Sequence, residues 1–489
     1  MSSLAAAIAE TELPRACDRC HSIKERCEWV PNENKCERCL RLRHVCETVR
    51  QKGRPGRKPG VQGKQLVAGI KSVSKSRGGR ADDDRLLANL AKLKKMHRSG
   101  CVATITRSVS EFDFGDISDS DQHLVQKFLF DDRFLDMFSV APSLTEKVRR
   151  QIIPHMLLSK TTFLDGFLAC AISWAGAVDQ DQENPRRLNA CYRHASSAIS
   201  KLISLQVSDF QAMIDCLMLG ALVSSFTVKW RLHDTSAVCS RTLGLIEPIY
   251  ARSDPGRPEL RVFSTCMVIW ELRACLFSCT APTLRFKPPL EAYVDRHAGL
   301  SGTLLPLFYD ICKLSYVIAL CKTTGLATGI SGELDIVEQS VRRWQPAVPE
   351  DLTTRFTTIE VAHMLCQAHV MHTAALLVIH RLKYPFGVND GPAQVLSMSI
   401  LSQVEMTTVV TKLPLRCVEI ALMVACIELK ENERQKWLSG TNKFSASSPE
   451  FRHHVHDTLR SYWALIDTSD TISWNGLVSL GTPFLRNQK

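Results

Sequence analysis

The chain has 489 residues, of which 45% are hydrophobic and 23% charged, enough for a small module beside a large core of one or two domains, which excludes a minimal protein. Its net charge of +11 lies at one end: residues 1–100 hold 23 Lys and Arg against 11 Asp and Glu, and the rest of the chain stands at −1. A one-sided excess of base is the electrostatic footprint of nucleic-acid binding, in which basic side chains release counterions condensed on phosphates.

Residues 1–16 read as a disordered N-terminus. The apolar stretch LAAAIA at 4–9 lacks a basic leader and runs into Glu10 and Glu12, so no secretion signal is expected. Residues 17–46 then carry six cysteines: Cys17, Cys20, Cys27, Cys36, Cys39 and Cys46. Each half of the stretch is Cys, two residues, Cys, six residues, Cys. Thiolates at i and i+3 suit one metal ion, because a turn entering a helix points both sulfurs inward at about 2.3 Å from a zinc ion. Two such turns imply two metals. Two tetrahedral zinc ions, with four ligands each, need more positions than six sulfurs offer. The deficit is met by sharing or from elsewhere, and the repeat favours one bridging cysteine per half. A disulfide knot is the alternative, and it would need a secretory context.

The residues CDRCHSIKERC and CERCLRLRHVC resemble the binuclear zinc cluster of fungal transcription factors. That resemblance implies two zinc ions per chain, with Cys17 and Cys36 as the bridging ligands. It also implies that Lys24, three residues before the third cysteine, projects from the first short helix and reads the guanines of a CGG triplet in the major groove. Double-stranded DNA with CGG-type half-sites is the expected partner. Lys24, Arg26, Lys35, Arg38, Arg41 and Arg43 are interleaved with the cysteines, while His21 and Ile23 stand where many members of that family carry Arg or Lys. The expected DNA-contacting set in the module is therefore Lys24, Arg26 and His21.

Residues 47–81 are a basic linker, with no acidic residue between Thr48 and Ala81. Its piece GRPGRKPG, Gly53 to Gly60, resembles an AT-hook, which would place Arg54, Arg57 and Lys58 in a minor groove; a generic basic arm and nuclear-import signal is the plainer reading. Residues 82–97 form a candidate helix, opened by Asp82, Asp83 and Asp84 and carrying Leu86, Leu90, Leu93 and His97 at 4, 3, 4 spacing. It resembles the short dimerising coiled coil that follows the cluster in several family members, which implies a homodimer; packing on the large domain is the alternative. Residues 98–120 are an acidic linker. Between 110 and 138, acids alternate with Phe112, Phe114, Phe128, Phe130, Phe134 and Phe138, as in an acidic activation segment or a linker into the first core helix.

From 121 to 489 the pattern is helical. Asn184 and Pro185 open a segment whose apolar set is Leu188, Cys191, Ala195, Ala198, Leu202 and Leu205. Asp209 is placed to cap Phe210 to Phe226, which is apolar on most faces and so central. Further helices are predicted at Val262–Cys279, Leu304–Thr323, Val361–Leu382, Ala393–Thr411 and Leu415–Leu429. His363, Gln367, His369 and His372 interrupt Val361–Ile379, which marks it as a buried helix and not a membrane span. The thirteen remaining cysteines are scattered among apolar residues, as reduced thiols are. Trp270 with Arg273 before a proline-rich loop, and AALLVIHRLKYPFG at Ala374–Gly387, resemble the all-helical middle region of fungal zinc-cluster regulators.

No GxSxG elbow, phosphate-binding glycine loop or HExxH helix occurs, so an enzyme is not expected. His453, His454 and His456 read as a solvated face. The fold class is thus a zinc-stapled DNA-binding module, a disordered basic linker and a large all-α regulatory domain. The expected function is that of a nuclear, sequence-specific RNA polymerase II transcription factor that engages the transcription machinery and regulates a secondary-metabolite gene cluster. The alternatives are a regulator of nutrient or catabolic genes and, in another class, a zinc-stapled non-specific nucleic-acid or scaffold protein.

Overall fold

The computed structural model of the chain describes residues 16–22, 26–29, 35–48, 118–130, 139–179, 185–230, 235–324, 330–444 and 449–481. The chain divides into two compact units, Met1–Leu86 and Leu87–Lys489. The first contains two five-residue helices, α1 (Asp18–Ser22) and α2 (Glu37–Arg41). The proposed helix at 82–97 and the basic linker beyond Thr48 lie outside the described residues.

The second unit is helical, and its described residues contain isolated bridges but no strand. Its helices are α3 (Asp119–Phe130), α4 (Thr145–Leu158), α5 (Lys160–Asp179), α6 (Pro185–Ser204), α7 (Phe210–Trp230), α8 (Thr235–Tyr250), α9 (Pro258–Leu276) and α10 (Leu305–Thr324). They continue with α11 (Ile330–Arg343), α12 (Leu352–Arg355), α13 (Thr358–Lys383), α14 (Asp390–Thr411), α15 (Glu419–Ile427), α16 (Glu431–Phe444), α17 (Pro449–Thr468) and α18 (Trp474–Gly481).

Local chemistry accounts for several boundaries. Pro185 opens α6, where its missing N–H costs nothing, and the Asp209 carboxylate caps α7 by accepting the Ala212 N–H at 2.9 Å. Helix α13 starts on a capping box: Glu360 N–H donates to Thr357 Oγ1, and Thr357 N–H donates back to the Glu360 carboxylate at 2.9 Å. The Ser143 N–H and hydroxyl each donate to that same carboxylate at 2.7 Å, so one side chain also pins the turn before α4.

Helix α7 is central. Every residue from Cys216 to Ser224 is buried, a run no amphipathic stripe could produce, and α5, α6, α8 and α9 pack around it. Helix α13 is the second axis, covered by α14, α15 and α11. The stretches Phe210–Lys229, Gly302–Cys321 and Thr358–Lys383 are long and apolar enough to cross a membrane by length and composition. In the first and third, 78% and 72% of the apolar window is buried inside the bundle, against 44% in the second. Part of the acid-and-aromatic segment is core as well: Phe128 is buried and meets Phe167 edge-on at 6.1 Å, so residues 119–130 are not a free activation segment.

The stretch AALLVIHRLKYPFG encodes a buried junction. Arg381, 2% exposed, donates through Nε and Nη2 to both Glu428 oxygens at 2.7 and 2.6 Å, and through Nη1 to the Pro385 carbonyl. Asp390 lies 2.8 Å from Nη1, and the guanidinium stacks 4.3 Å from the Phe386 ring. Phe386 bridges to Ile472, and Gly387 follows at φ +87, where a Cβ would sit 2.4 Å from the Asp470 carbonyl oxygen. Burial lifts the Glu428 carboxyl above its ordinary range and Arg381 opposes that rise.

Removing one partner of such a pair strands a buried charge. Glu428→Ala is expected to cost about 3 to 5 kcal/mol of unfolding free energy, and the double change Arg381→Met/Glu428→Met less than the single one. Denaturant unfolding of the variants measures both; a double variant that costs the sum of its singles would deny the coupling.

Candidate metal centre

The N-terminal unit repeats itself at an interval of nineteen residues. Cys17 maps onto Cys36, Cys20 onto Cys39 and Cys27 onto Cys46, and the hydrogen bonds follow the same shift. Cys17 N–H donates to Cys27 Sγ at 3.3 Å and Cys36 N–H to Cys46 Sγ at 3.2 Å. Across the halves, Asp18 N–H donates to the Glu47 carbonyl and Glu37 N–H to the Glu28 carbonyl. Each half therefore ties its first helix to the strand-like tail of the other. Helices of five residues are far below the roughly 12–15 needed to persist alone, so cross-ties and sulfur contacts must hold them.

Cys17, Cys20, Cys36 and Cys39 are buried, and Cys27, Cys46 and Trp29 pack against them as the unit's interior. The sulfurs fall into two overlapping quartets, Cys17, Cys20, Cys27, Cys36 and Cys17, Cys36, Cys39, Cys46, each with ligand atoms within 4.8 Å of one another. Cys17 and Cys36 belong to both. The Cys17–Cys36, Cys17–Cys39 and Cys20–Cys36 sulfur separations are 3.8, 3.7 and 3.8 Å. A tetrahedron of sulfurs about 2.3 Å from a zinc ion has edges of about 3.8 Å, so the donor set fits that metal in type and spacing and can hold metal ions.

The two shared sulfurs are also the easiest to ionise. Burial raises every thiol in the cluster, but the Cys39 N–H and neighbouring thiols donate to Cys36 and bring it down to about 6. Cys17 likewise falls below the ordinary cysteine value, with Cys20 as its donor. Cys20 and Cys39 move the other way, Cys39 to about 12. Each donates to a shared sulfur, and the cost of ionising it beside another thiolate adds to that of burial.

Of the expected DNA-contacting residues, His21 lies on α1, one residue before its end. Arg26 is highly exposed and pairs with Glu28 at 2.7 Å, a surface contact weak enough to yield to a phosphate. Lys24, Arg54, Arg57 and Lys58 lie outside the described residues. Arg19, Arg41 and Arg43 are exposed on the described part, with Arg43 at φ 51. Trp29 is a structural residue that spacing rules do not single out: it bridges to the Cys36 backbone and packs on the sulfurs. In the helical unit His453 pairs with Asp457, and among the described residues the metal-ligating groupings are the two cysteine quartets.

Comparison with known proteins gives one further finding. No curated protein and no solved structure matches the chain, but residues 127–485 match the model of the fungal specific transcription factor domain. That match takes in α4 to α18 and the last turn of α3, nearly three quarters of the sequence, and the chain therefore belongs to the fungal specific transcription factor family.

Proposed function

We propose that the protein is a zinc-dependent, sequence-specific DNA-binding regulator of transcription. In this reading residues 17–46 hold two zinc ions, with Cys17 and Cys36 shared between them. Lys24 contacts the guanines of a CGG half-site, Arg26 and His21 support it, and Arg54, Arg57 and Lys58 in the 47–81 linker grip phosphates. Residues 82–97 pair two chains, 98–120 are a linker, and 121–489 engage the transcription machinery in the nucleus. The observation that carries the proposal is the pair of overlapping thiol quartets at zinc-tetrahedron spacing, in the same chain as a fungal transcription factor domain. The charge of residues 1–100, set against −1 for the remainder, supports DNA contact through the N-terminal end. Resemblance of the cysteine stretch and the Gly-Arg-Pro arm to regulators of secondary-metabolite gene clusters favours such a cluster as the target, ahead of nutrient genes.

A shared ligand makes a distinctive stoichiometry. The purified chain is expected to carry about two zinc ions, Cys27→Ser to keep about one, and Cys17→Ser or Cys36→Ser to keep fewer than one, since each removes a ligand from both sites. Elemental analysis after dialysis reads this, and equal losses in all three variants would reject the shared arrangement.

Base contact and phosphate grip separate in binding assays. Lys24→Ala should lower affinity for CGG duplexes by about 1 to 3 kcal/mol and leave scrambled duplexes nearly unaffected. Neutralising Arg54, Arg57 and Lys58 together should weaken both and reduce the salt slope by about 0.9 per lost phosphate contact. Equal discrimination by Lys24→Ala and the native chain would remove Lys24 from base readout.

For the pathway, deletion of the gene should silence a contiguous set of biosynthetic genes with paired CGG elements in their promoters. Transcript profiling tests this, and scattered changes in primary metabolism would move the assignment to nutrient control.

A further inference from the structure

The helical unit contains a cavity of about 80 Å³, several times the roughly 10–15 Å³ that one water needs. Four cations line it: Lys147 from α4, Arg261 from α9, Arg296 from the loop after α9, and Arg355 from α12. Asp295 is the one carboxylate in the lining, and its Oδ1 is already engaged by the N–H groups of His297 and Ala298 at 2.8 and 2.9 Å. Arg355 has a loose contact with Asp351 at 3.8 Å, and Lys147, Arg261 and Arg296 form no ion pair with a described residue.

The crowding leaves marks. Partial desolvation, then Arg355 and Arg261, push the Lys147 ammonium below its usual range, against a weaker pull from Asp351 and Asp295. Arg261 stacks over the Tyr293 ring at 4.7 Å, and Gly302 leaves room for that tyrosine: a Cβ there would lie 2.7 Å from its hydroxyl oxygen. Tyr293 Oη and Arg296 Nε are buried without a hydrogen-bond partner. Unsatisfied donors and convergent like charges in one concave place are costly, and an anion offsets both terms together.

We propose that this cavity is a binding site for a compact dianion, the shared chemistry of a phosphate ester and a dicarboxylate. The guanidinium groups of Arg261 and Arg296 supply forked donors, and Lys147 and Arg355 close the charge. Because its ligands come from α4, α9, the following loop and α12, an occupant ties together parts of the chain more than 200 residues apart. The site needs only the helical unit, so it stands or falls independently of zinc and DNA binding.

Thermal unfolding of the full chain at constant ionic strength tests this, with inorganic phosphate, succinate or sodium chloride added. At about a hundred times its dissociation constant a dianion should raise Tm by about 3 to 4 °C, while chloride does not. A shift with phosphate alone assigns a phosphate ester, with succinate alone a dicarboxylate, and with both the common chemistry. Lys147→Met and Arg355→Gln, both at exposed positions, should abolish the shift. Without added dianion they should leave Tm unchanged or raise it, because repulsion is relieved, whereas a merely structural role would lower Tm in either condition. No shift with either dianion, or the same shift in the variants as in the native chain, overturns the proposal.

Discussion

Sulfur atoms, with one tryptophan against them, make up the described interior of the N-terminal unit, so that unit depends on whatever lets thiolates sit at tetrahedral edge distance. Bare thiolates so close would repel, and protonated thiols offer only weak hydrogen bonds. A metal cation held among these sulfurs would convert the same spacing from a liability into the main cohesive term, and its binding free energy would become folding free energy. The rest follows from that. Since α1 and α2 are held by Cys17, Cys20, Cys36 and Cys39, the exposed residues between the cysteines, unlike Trp29, have no packing duty. They can be basic: Arg19, Arg41 and Arg43 are exposed, and Arg26 is held only by its surface pair with Glu28. The pseudo-twofold exchange of backbone bonds, Asp18 to Glu47 and Glu37 to Glu28, fixes how the two halves are set against each other.

The helical unit solves the opposite problem, with abundant apolar material and few polar groups to accommodate. Several of the polar groups it takes inside are paired across helices. Asp165 on α5 receives His194 Nδ1, Ser197 Oγ and Lys201 Nζ from one face of α6 at 2.8, 2.6 and 2.8 Å; burial would raise its carboxyl, but these donors hold it down to about 2. Gln367 on α13 donates to the carbonyls of His297 and Cys417, and Glu360 collects Ser143 and Thr357. Such bonds fix which helix meets which, a specificity that a uniformly apolar surface like that of α7 cannot supply.

Local signals were legible in the sequence and long-range ones were not. The Asp209 cap, the proline at the start of α6 and the buried set Cys191, Ala195, Ala198 and Leu202 depend on residues a few positions apart, and helix periodicity exposes them. The same holds for the thiol quartets, whose members lie within thirty residues. Helix α13 starts three residues before Val361 because the Thr357–Glu360 capping box, not apolar periodicity, sets its beginning. The polar face of α6 went unread because Asp165 sits on another helix. The AALLVIHRLKYPFG stretch stood out by resemblance alone; its physical content, the Arg381–Glu428 pair, spans 47 residues and leaves no pattern in any window.

Net charge is the clearest case of a quantity that informs at one scale and misleads at another. A sum of −1 beyond residue 100 argues against a long basic stripe there, which is what an extended polyanion such as DNA requires. It does not bear on a compact anion, which requires a few cations brought to one concave point. Lys147, Arg261, Arg296 and Arg355 are separated along the chain by stretches with their own acids, and those acids cancel them in any sum. The fold undoes the cancellation by bringing four cations to a common cavity whose one carboxylate, Asp295, already accepts two backbone N–H groups at Oδ1. The proposed recognition of a polymer is thus written in composition, and that of a small anion only in the packing of α4, α9 and α12.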